Sequence, residues 1–296
     1  MKSKSDIIYK LPLFCALFAL LVAVPLRVYQ FFKILEPETG FYNSMDFSVY
    51  VIYILLGIAM IIGIAVPLIN RKNIVTISRP KKSSAFLIIS IILAVTIIID
   101  SAGQLISYFD LYEQAVSSST QVTKYVKDQG GNMLLIQSVL GAISAVYFFV
   151  SGLAVGIGNS DGTKFKVLAF APVLWYIFKL LYRFKRTISF VNVSDLLLEL
   201  FAIVFLMLFF LAYTQVISAI DASEVFWKLY AYGIPAVMFS LICFLPRFIV
   251  MATGNSDLLS THHGISYSDL GVSIYIVYTL LTRAKARTNN TEEKSE

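Results

Sequence analysis

The stretch SAFLIISIILAVTIIIDSAGQLI, Ser84–Ile106, decides the fold class. It is 23 residues long and holds a single charge, Asp100. Crossing the hydrocarbon core of a bilayer takes roughly 20 mostly apolar residues as a helix. Lipid offers no partner for backbone N–H and C=O groups, so a single spanning segment must satisfy them internally, and an α-helix does. The same stretch carries a polar signature. Asp100, Gln104 and Ser107 follow one another at spacings of four and three, which puts them on one helical face, with Ser101 adjacent. Asp100 lies about 7–8 Å from the midpoint of the run at 1.5 Å per residue.

Five other runs read the same way: Leu11–Phe31, Phe47–Ile69, Met133–Ile157, Leu196–Ser218 and Phe226–Val250. Two more are shorter. Val167–Tyr182 carries Lys179, and Leu270–Thr282 has Asp269 at its entrance. The predicted fold is all-α, a polytopic transmembrane helix bundle with six clear spans and eight favoured. One membrane domain covers residues 1–288, and a polar tail, 289–296, is expected to be disordered. Composition agrees. Of 296 residues, 58% are hydrophobic and 14% charged, with a mean hydropathy of +0.77, whereas soluble domains carry about 25% charged residues. No loop is long enough to bury a core of its own.

The start of the chain resembles a signal peptide, with Lys2, Lys4 and Lys10 ahead of Leu11–Val24. No small-residue cleavage site follows, and Pro25-Leu26-Arg27 comes next, so an uncleaved first span is expected. Cys15 and Cys243 both lie in apolar runs and act there as small hydrophobes.

Basic residues set the orientation. Arg71, Lys72, Arg79, Lys81 and Lys82 make residues 71–82 the densest basic loop, which places it in the cytoplasm together with the N-terminus. Residues 107–132 then form an outer polar segment, broken at Gly130-Gly131. Eight spans leave 15 Lys and Arg inside against 9 outside, and six leave 19 against 5. Charge therefore favours six, and apolar length favours eight. Both put the C-terminus in the cytoplasm. Gly63-Ile-Ala-Val66 and Gly152-Leu-Ala-Val155, each followed by an Ala-Phe pair (Ala85-Phe86, Ala169-Phe170), form a short internal echo. It is compatible with a duplicated helix pair, and equally with chance in an apolar sequence.

Charge inside the shorter segments is the main pointer to function. Tyr176, Lys179, Arg183 and Arg186 form a basic aromatic stripe on one helical face, beside Trp175 and Tyr182. A hairpin about Val191 puts Lys179, 12 residues before it, at a similar depth to Glu199, 8 after. Intramembrane charges pair, so Lys179 or Arg183 is expected to meet Glu199 or Asp195. The other readings of the stripe are an anionic-lipid site or an anion-binding cavity. Asp100 is a proton or cation candidate, or else the partner of Gln137, Ser144 or a basic residue of the stripe. Gln137, Gly141, Ser144 and Ser151, with Gly152-xxx-Gly156, read as a packing seam, because small residues let helices approach closely. Pro235 after Gly233 predicts a kink.

Catalytic motifs are missing from the sequence. There is no G-x-S-x-G elbow, no H-E-x-x-H and no P-loop, and Gly156-Ile-Gly158-Asn-Ser-Asp-Gly162 lacks the preceding strand of a dinucleotide loop. The two histidines, His262 and His263, are adjacent in a loop and cannot alone close a metal site. No catalytic residue, cofactor or metal is predicted. Nucleic acid is not an expected partner, since Lys and Arg retained on the cytoplasmic side account for the net charge of +6. Asn192-Val193-Ser194 and Asn289-Asn290-Thr291 match the glycosylation pattern by coincidence.

The stretch Pro172–Phe184, PVLWYIFKLLYRF, with Asn192–Glu199, NVSDLLLE, resembles uncharacterised membrane proteins of clostridial-type Gram-positive bacteria. The resemblance covers under a tenth of the chain. It implies a bacterial plasma membrane and no particular activity.

Two functions stay open, with a minor third, an intramembrane enzyme acting on lipid in which Lys179 and Arg183 hold a phosphate head group. The first is a non-enzymatic scaffold, sensor or accessory component, whose basic stripe binds anionic lipid or a membrane-protein partner. The second is a small-solute or ion transporter or solute-binding membrane protein, with Asp100, Gln104, Lys179, Arg183 and Glu199 as its intramembrane polar site.

Overall fold

A computed structural model describes residues 4–37, 40–44, 46–71, 83–117, 121–158, 166–186, 193–218, 222–259 and 265–283. Among these, nine α-helices form: α1 Lys4–Lys33, α2 Phe47–Ile69, α3 Ser84–Ser117, α4 Val122–Asp128, α5 Gly131–Ile157, α6 Ala171–Arg186, α7 Val193–Ile217, α8 Ala222–Ala252 and α9 Tyr267–Arg283. No strand occurs among the described residues. Six helices, α1, α2, α3, α5, α7 and α8, are long and apolar enough to cross a membrane. The 16 residues of α6 and 17 of α9 give about 24–26 Å at 1.5 Å per residue, short of the roughly 30 Å hydrocarbon core.

α8 is the centre of the bundle. It packs on α1, α2, α7 and α9, and 72% of its apolar window is buried against 28% for α2. Side-chain pairs fix the direction of each neighbour. Gly141 lies against Ser101, and Gly152 and Gly156 against Ser90 and Leu87, so α5 runs antiparallel to α3. Gly130 lies beside Tyr182 and Gly141 beside Trp175, so α6 runs antiparallel to α5. Thr214 donates to the Ala169 carbonyl at 2.8 Å while Arg183 meets Glu199, which makes α7 antiparallel to α6. α9 runs antiparallel to α3, from the level of Asp100 to Ser83, whose hydroxyl meets Tyr278 at 2.8 Å. α6 and α9 are therefore packed members of the bundle. Trp175, Tyr176, Tyr275 and Ile276 are fully buried.

The glycine pattern of α5 works as a packing seam. A Cβ at Gly152 would sit 2.5 Å from that of Ser90, and one at Gly156 would sit 3.0 Å from the Leu87 side chain. Ser138 reinforces the seam by donating to the Ser101 carbonyl at 2.8 Å. An aromatic cluster fills the space between α5, α6, α7 and α9: Phe148 and Tyr275 are 5.2 Å apart, and Tyr176 stacks on Phe210 at 5.7 Å. The Tyr213 and Tyr275 hydroxyls bond to each other within it. Asp46 caps α2 by accepting from the Ser48 N–H at 2.7 Å, and that bond holds its carboxyl below the usual range.

Two features go beyond the sequence reading. The third helix runs past the Ser84–Ile106 span to Ser117 and is followed by α4. Polarity marks where the chain leaves lipid, not where a helix ends, and no proline or glycine interrupts residues 104–117. The echo between the two Gly-x-Ala-Val motifs does not reflect equivalent packing. Gly63 faces Ile234 and Pro235 of α8, whereas Gly152 faces Ser90 of α3. The tail 289–296, the histidine pair, Lys72 to Lys82 and the Asn159–Gly162 turn lie outside the described residues.

Candidate functional site

The buried charged residues, Arg27, Lys179, Asp195, Glu199, Arg247 and Asp269, gather at one end of the bundle, where α1, α3, α6 and α8 finish and α2, α5 and α7 begin. There they form two separate clusters.

The first is built around Asp100 and the start of α9. A helix N-terminus leaves its first N–H groups without intrahelical partners. In α9 a carboxylate from another helix supplies them. Asp100 Oδ1 accepts from the Tyr267 N–H at 2.8 Å, and Oδ2 accepts from the Ser268 N–H at 2.9 Å and the Ser266 hydroxyl at 2.7 Å. The positive end of the helix dipole adds to the attraction. This differs from the sequence expectation of a bond to Gln137, Ser144 or a basic residue. Ser266 extends the network, since its oxygen accepts from Lys179 Nζ at 3.1 Å.

Lys179 is 6% exposed and lies 3.6 Å from Asp269, over the rings of Trp175 and Tyr176 at 5.7 and 5.8 Å. Glu199 is taken instead by Arg183, at 2.5 Å. Hairpin geometry explains the choice. Arg183 and Glu199 each stand 8 residues from Val191, whereas Lys179 stands 12 away, one helical turn too deep. Lys179 meets Asp269 in its place, a residue the sequence shows at the entrance of a short segment and in no site.

Beside this network opens a half-enclosed cavity of about 350 Å3, bounded by α3, α5, α6 and the α9 entry. Asp100, Gln104, Gln137, Lys179 and Arg183 contribute to its lining. Four of the five predicted site residues therefore share one cavity, and Glu199 stands behind Arg183. Gln137 belongs to it as well, from the face read as a packing seam. Two of its acceptors are unsatisfied: Gln104 Oε1 and Gln137 Oε1 are buried and accept no hydrogen bond among the described residues. Gln137 is only 3% exposed. Native interiors rarely leave such acceptors unpaired.

The second cluster is closed. Asp195 lies between two guanidiniums, pairing with Arg27 and, at 3.5 Å, with Arg247. Arg27 is 2% exposed and also donates to Gln30 Oε1 and to the Tyr42 hydroxyl, each at 2.7 Å. Gln30 passes the chain on to the Ser48 hydroxyl at 3.1 Å. This cluster joins α1, α2, α7 and α8. The sequence reading assigned no role to Arg27 or Arg247. The signal was there, because both lie inside clear apolar runs, where an arginine demands a partner.

No family model, curated protein or solved structure matches the chain.

Proposed function

We propose that this chain is a multi-pass membrane protein that binds a small polar solute in the cavity between α3, α5, α6 and the α9 entry, as a carrier or a solute-sensing component. Of the two functions open from the sequence, solute binding is the one the geometry favours. The observation that carries it is a void of about 350 Å3 lined by two glutamines, Gln104 and Gln137, whose amide oxygens are buried just behind its wall and have no partner among the described residues. That volume is within the range of small-molecule sites, and a few convergent polar groups in a concave pocket are their usual mark. No side chain in the cavity has the arrangement of a nucleophile with its base, and the reading is non-enzymatic.

The proposal includes eight membrane helices, with α6 and α9 as short members, and both termini in the cytoplasm of a bacterial cell. Antiparallel packing of α6 and α9 supports the count. α2 ends and α3 begins at the bundle end opposite the cavity, and the basic sequence 71–82 between them supports the orientation. The cavity then opens toward the outside. A cysteine introduced at Ser189 should react with an impermeant thiol reagent on intact cells. Protection until lysis would favour the six-span arrangement and overturn the outward-opening cavity.

Native mass spectrometry of the protein in mild detergent tests the function. A bound small molecule that disappears in Gln137→Leu is the expected result. A protein partner at fixed stoichiometry, with no small molecule, would favour the scaffold reading, in which the basic stripe of α6 serves a lipid or protein contact.

A further inference from the structure

We infer that the solute is a small organic cation bearing N–H donors, a primary ammonium; this rests on the solute-binding reading above. The sign comes from counting charges around the cavity. Lys179 is matched by Asp269 at 3.6 Å and Arg183 by Glu199 at 2.5 Å. Asp100 has no cation partner among the described residues; its carboxylate is held by one hydroxyl and two backbone N–H groups. Among the described residues, two neutral pairs and one carboxylate leave the wall with one net negative charge. The α9 N-terminus offsets only about half an elementary charge.

Hydrogen-bond capacity points the same way. A carboxylate offers about four lone-pair sites, and Asp100 uses three of them on Ser266, Tyr267 and Ser268. One remains. Gln104 Oε1 and Gln137 Oε1 add two buried acceptors with nothing to accept. An amide can turn over and offer N–H instead, but a carboxylate cannot, so Asp100 fixes the preference. A primary ammonium brings three donors and no acceptor, which matches this wall. A small anion, by contrast, would share Lys179 or Arg183 with the buried carboxylate each already pairs with, and weakening a buried pair is costly. A zwitterion meets the same obstacle at its carboxylate. A bare metal ion is disfavoured, because no group of three or more His, Cys, Asp or Glu side chains stands together among the described residues.

The test uses the purified full-length protein in detergent, with calorimetric titration and thermal denaturation. The probes are ethylammonium and alanine methyl ester as cations, alanine as zwitterion, and N-acetylalanine as anion, with potassium chloride at equal ionic strength. Saturable binding of at least one cation, with a rise in melting temperature, is expected. Gln104→Leu and Gln137→Leu should each weaken it ten-fold or more; both spare the Asp100 contacts to α9, so their folding is checked by an unchanged melting temperature without probe. Stronger binding of alanine or N-acetylalanine than of either cation would overturn the charge assignment and leave solute binding intact. An equal effect of potassium chloride would overturn the ammonium. Silence of every probe would overturn it too, and an empty protein in native mass spectrometry would then remove the solute-binding reading with it.

Discussion

The two charged clusters at this end of the bundle invite comparison because they draw on the same residue types and reach opposite states. Around Asp195, two arginines, a glutamine, a tyrosine and a serine close a chain of hydrogen bonds across α1, α2, α7 and α8. Around Asp100, the carboxylate is satisfied by a helix N-terminus, yet two glutamines that line the neighbouring void keep buried oxygens without a partner among the described residues. Charge held within a bundle is therefore not by itself a sign of a site. What separates a joint from a binding place is unused hydrogen-bonding capacity next to space.

The sharpest way to break the comparison is to open the closed cluster. Asp195→Ala leaves Arg27 and Arg247, both buried, facing each other without the carboxylate between them. Removing one partner from a buried ion pair costs about 3–5 kcal/mol. The variant should lose most of its folded yield in fluorescence-detected size exclusion, while solute binding by any folded remainder is unchanged. Wild-type melting in this variant would demote the cluster from joint to ornament.

A packing change with no charge in it sets the scale for the rest. Gly152→Ala puts a methyl group 2.5 Å from the Ser90 Cβ on the α3–α5 seam, and overpacking of that kind costs about 1–3 kcal/mol. The melting temperature should fall. Binding should fall too, since the same two helices carry Gln104 and Gln137 into the cavity. Gly57→Ala, where nothing lies within 4 Å of the added carbon, is the control and should change neither.

Smaller still is the loss of the cap. Asp100→Ala removes the acceptor for the Tyr267 and Ser268 N–H groups, and losing an N-cap side chain costs about 0.5–2 kcal/mol. Hydrogen exchange should speed up in the first turn of α9 and stay slow at Tyr275 and Ile276. Acceleration along the whole helix would mean that Asp100 holds α9 in the bundle and does more than cap it.

Much of this arrangement was legible in the sequence. Apolar length gave all six long helices, and Phe47–Ile69 matched at both ends. The stripe and the Asp100–Gln104 face identified four residues of one cavity, because helical periodicity reports which side chains share a face. The pairing across helices was harder. Periodicity along one helix carries no register between two, so Lys179 and Arg183 both stood as partners for Glu199 or Asp195, and only the structure selects Arg183 with Glu199. Asp269 and the α9 N-terminus were invisible for another reason. Their role depends on a helix that begins part-way along α3, and hydropathy registers such a segment only as a run too short to span. Arg27 and Arg247 were readable from their apolar surroundings alone, and what they pair with was not.

The open cluster has a prediction of opposite sign. Gln104→Leu removes a buried acceptor that has no partner among the described residues. Leaving such a group unsatisfied costs about 1–3 kcal/mol, and the amide is half-buried, so relieving the cost should leave stability unchanged or raise it by up to about 1 kcal/mol. The same substitution should weaken solute binding ten-fold or more. No residue of the closed cluster can behave this way, because every group there already has its partner and any deletion strands another. A variant that melts no lower than the wild type and binds ten-fold or more weakly would mark Gln104 as a residue kept for a ligand at no gain to the fold. A variant that instead melts several degrees lower, with nothing bound to the wild type, would mean that the amide serves the bundle and that both clusters are joints.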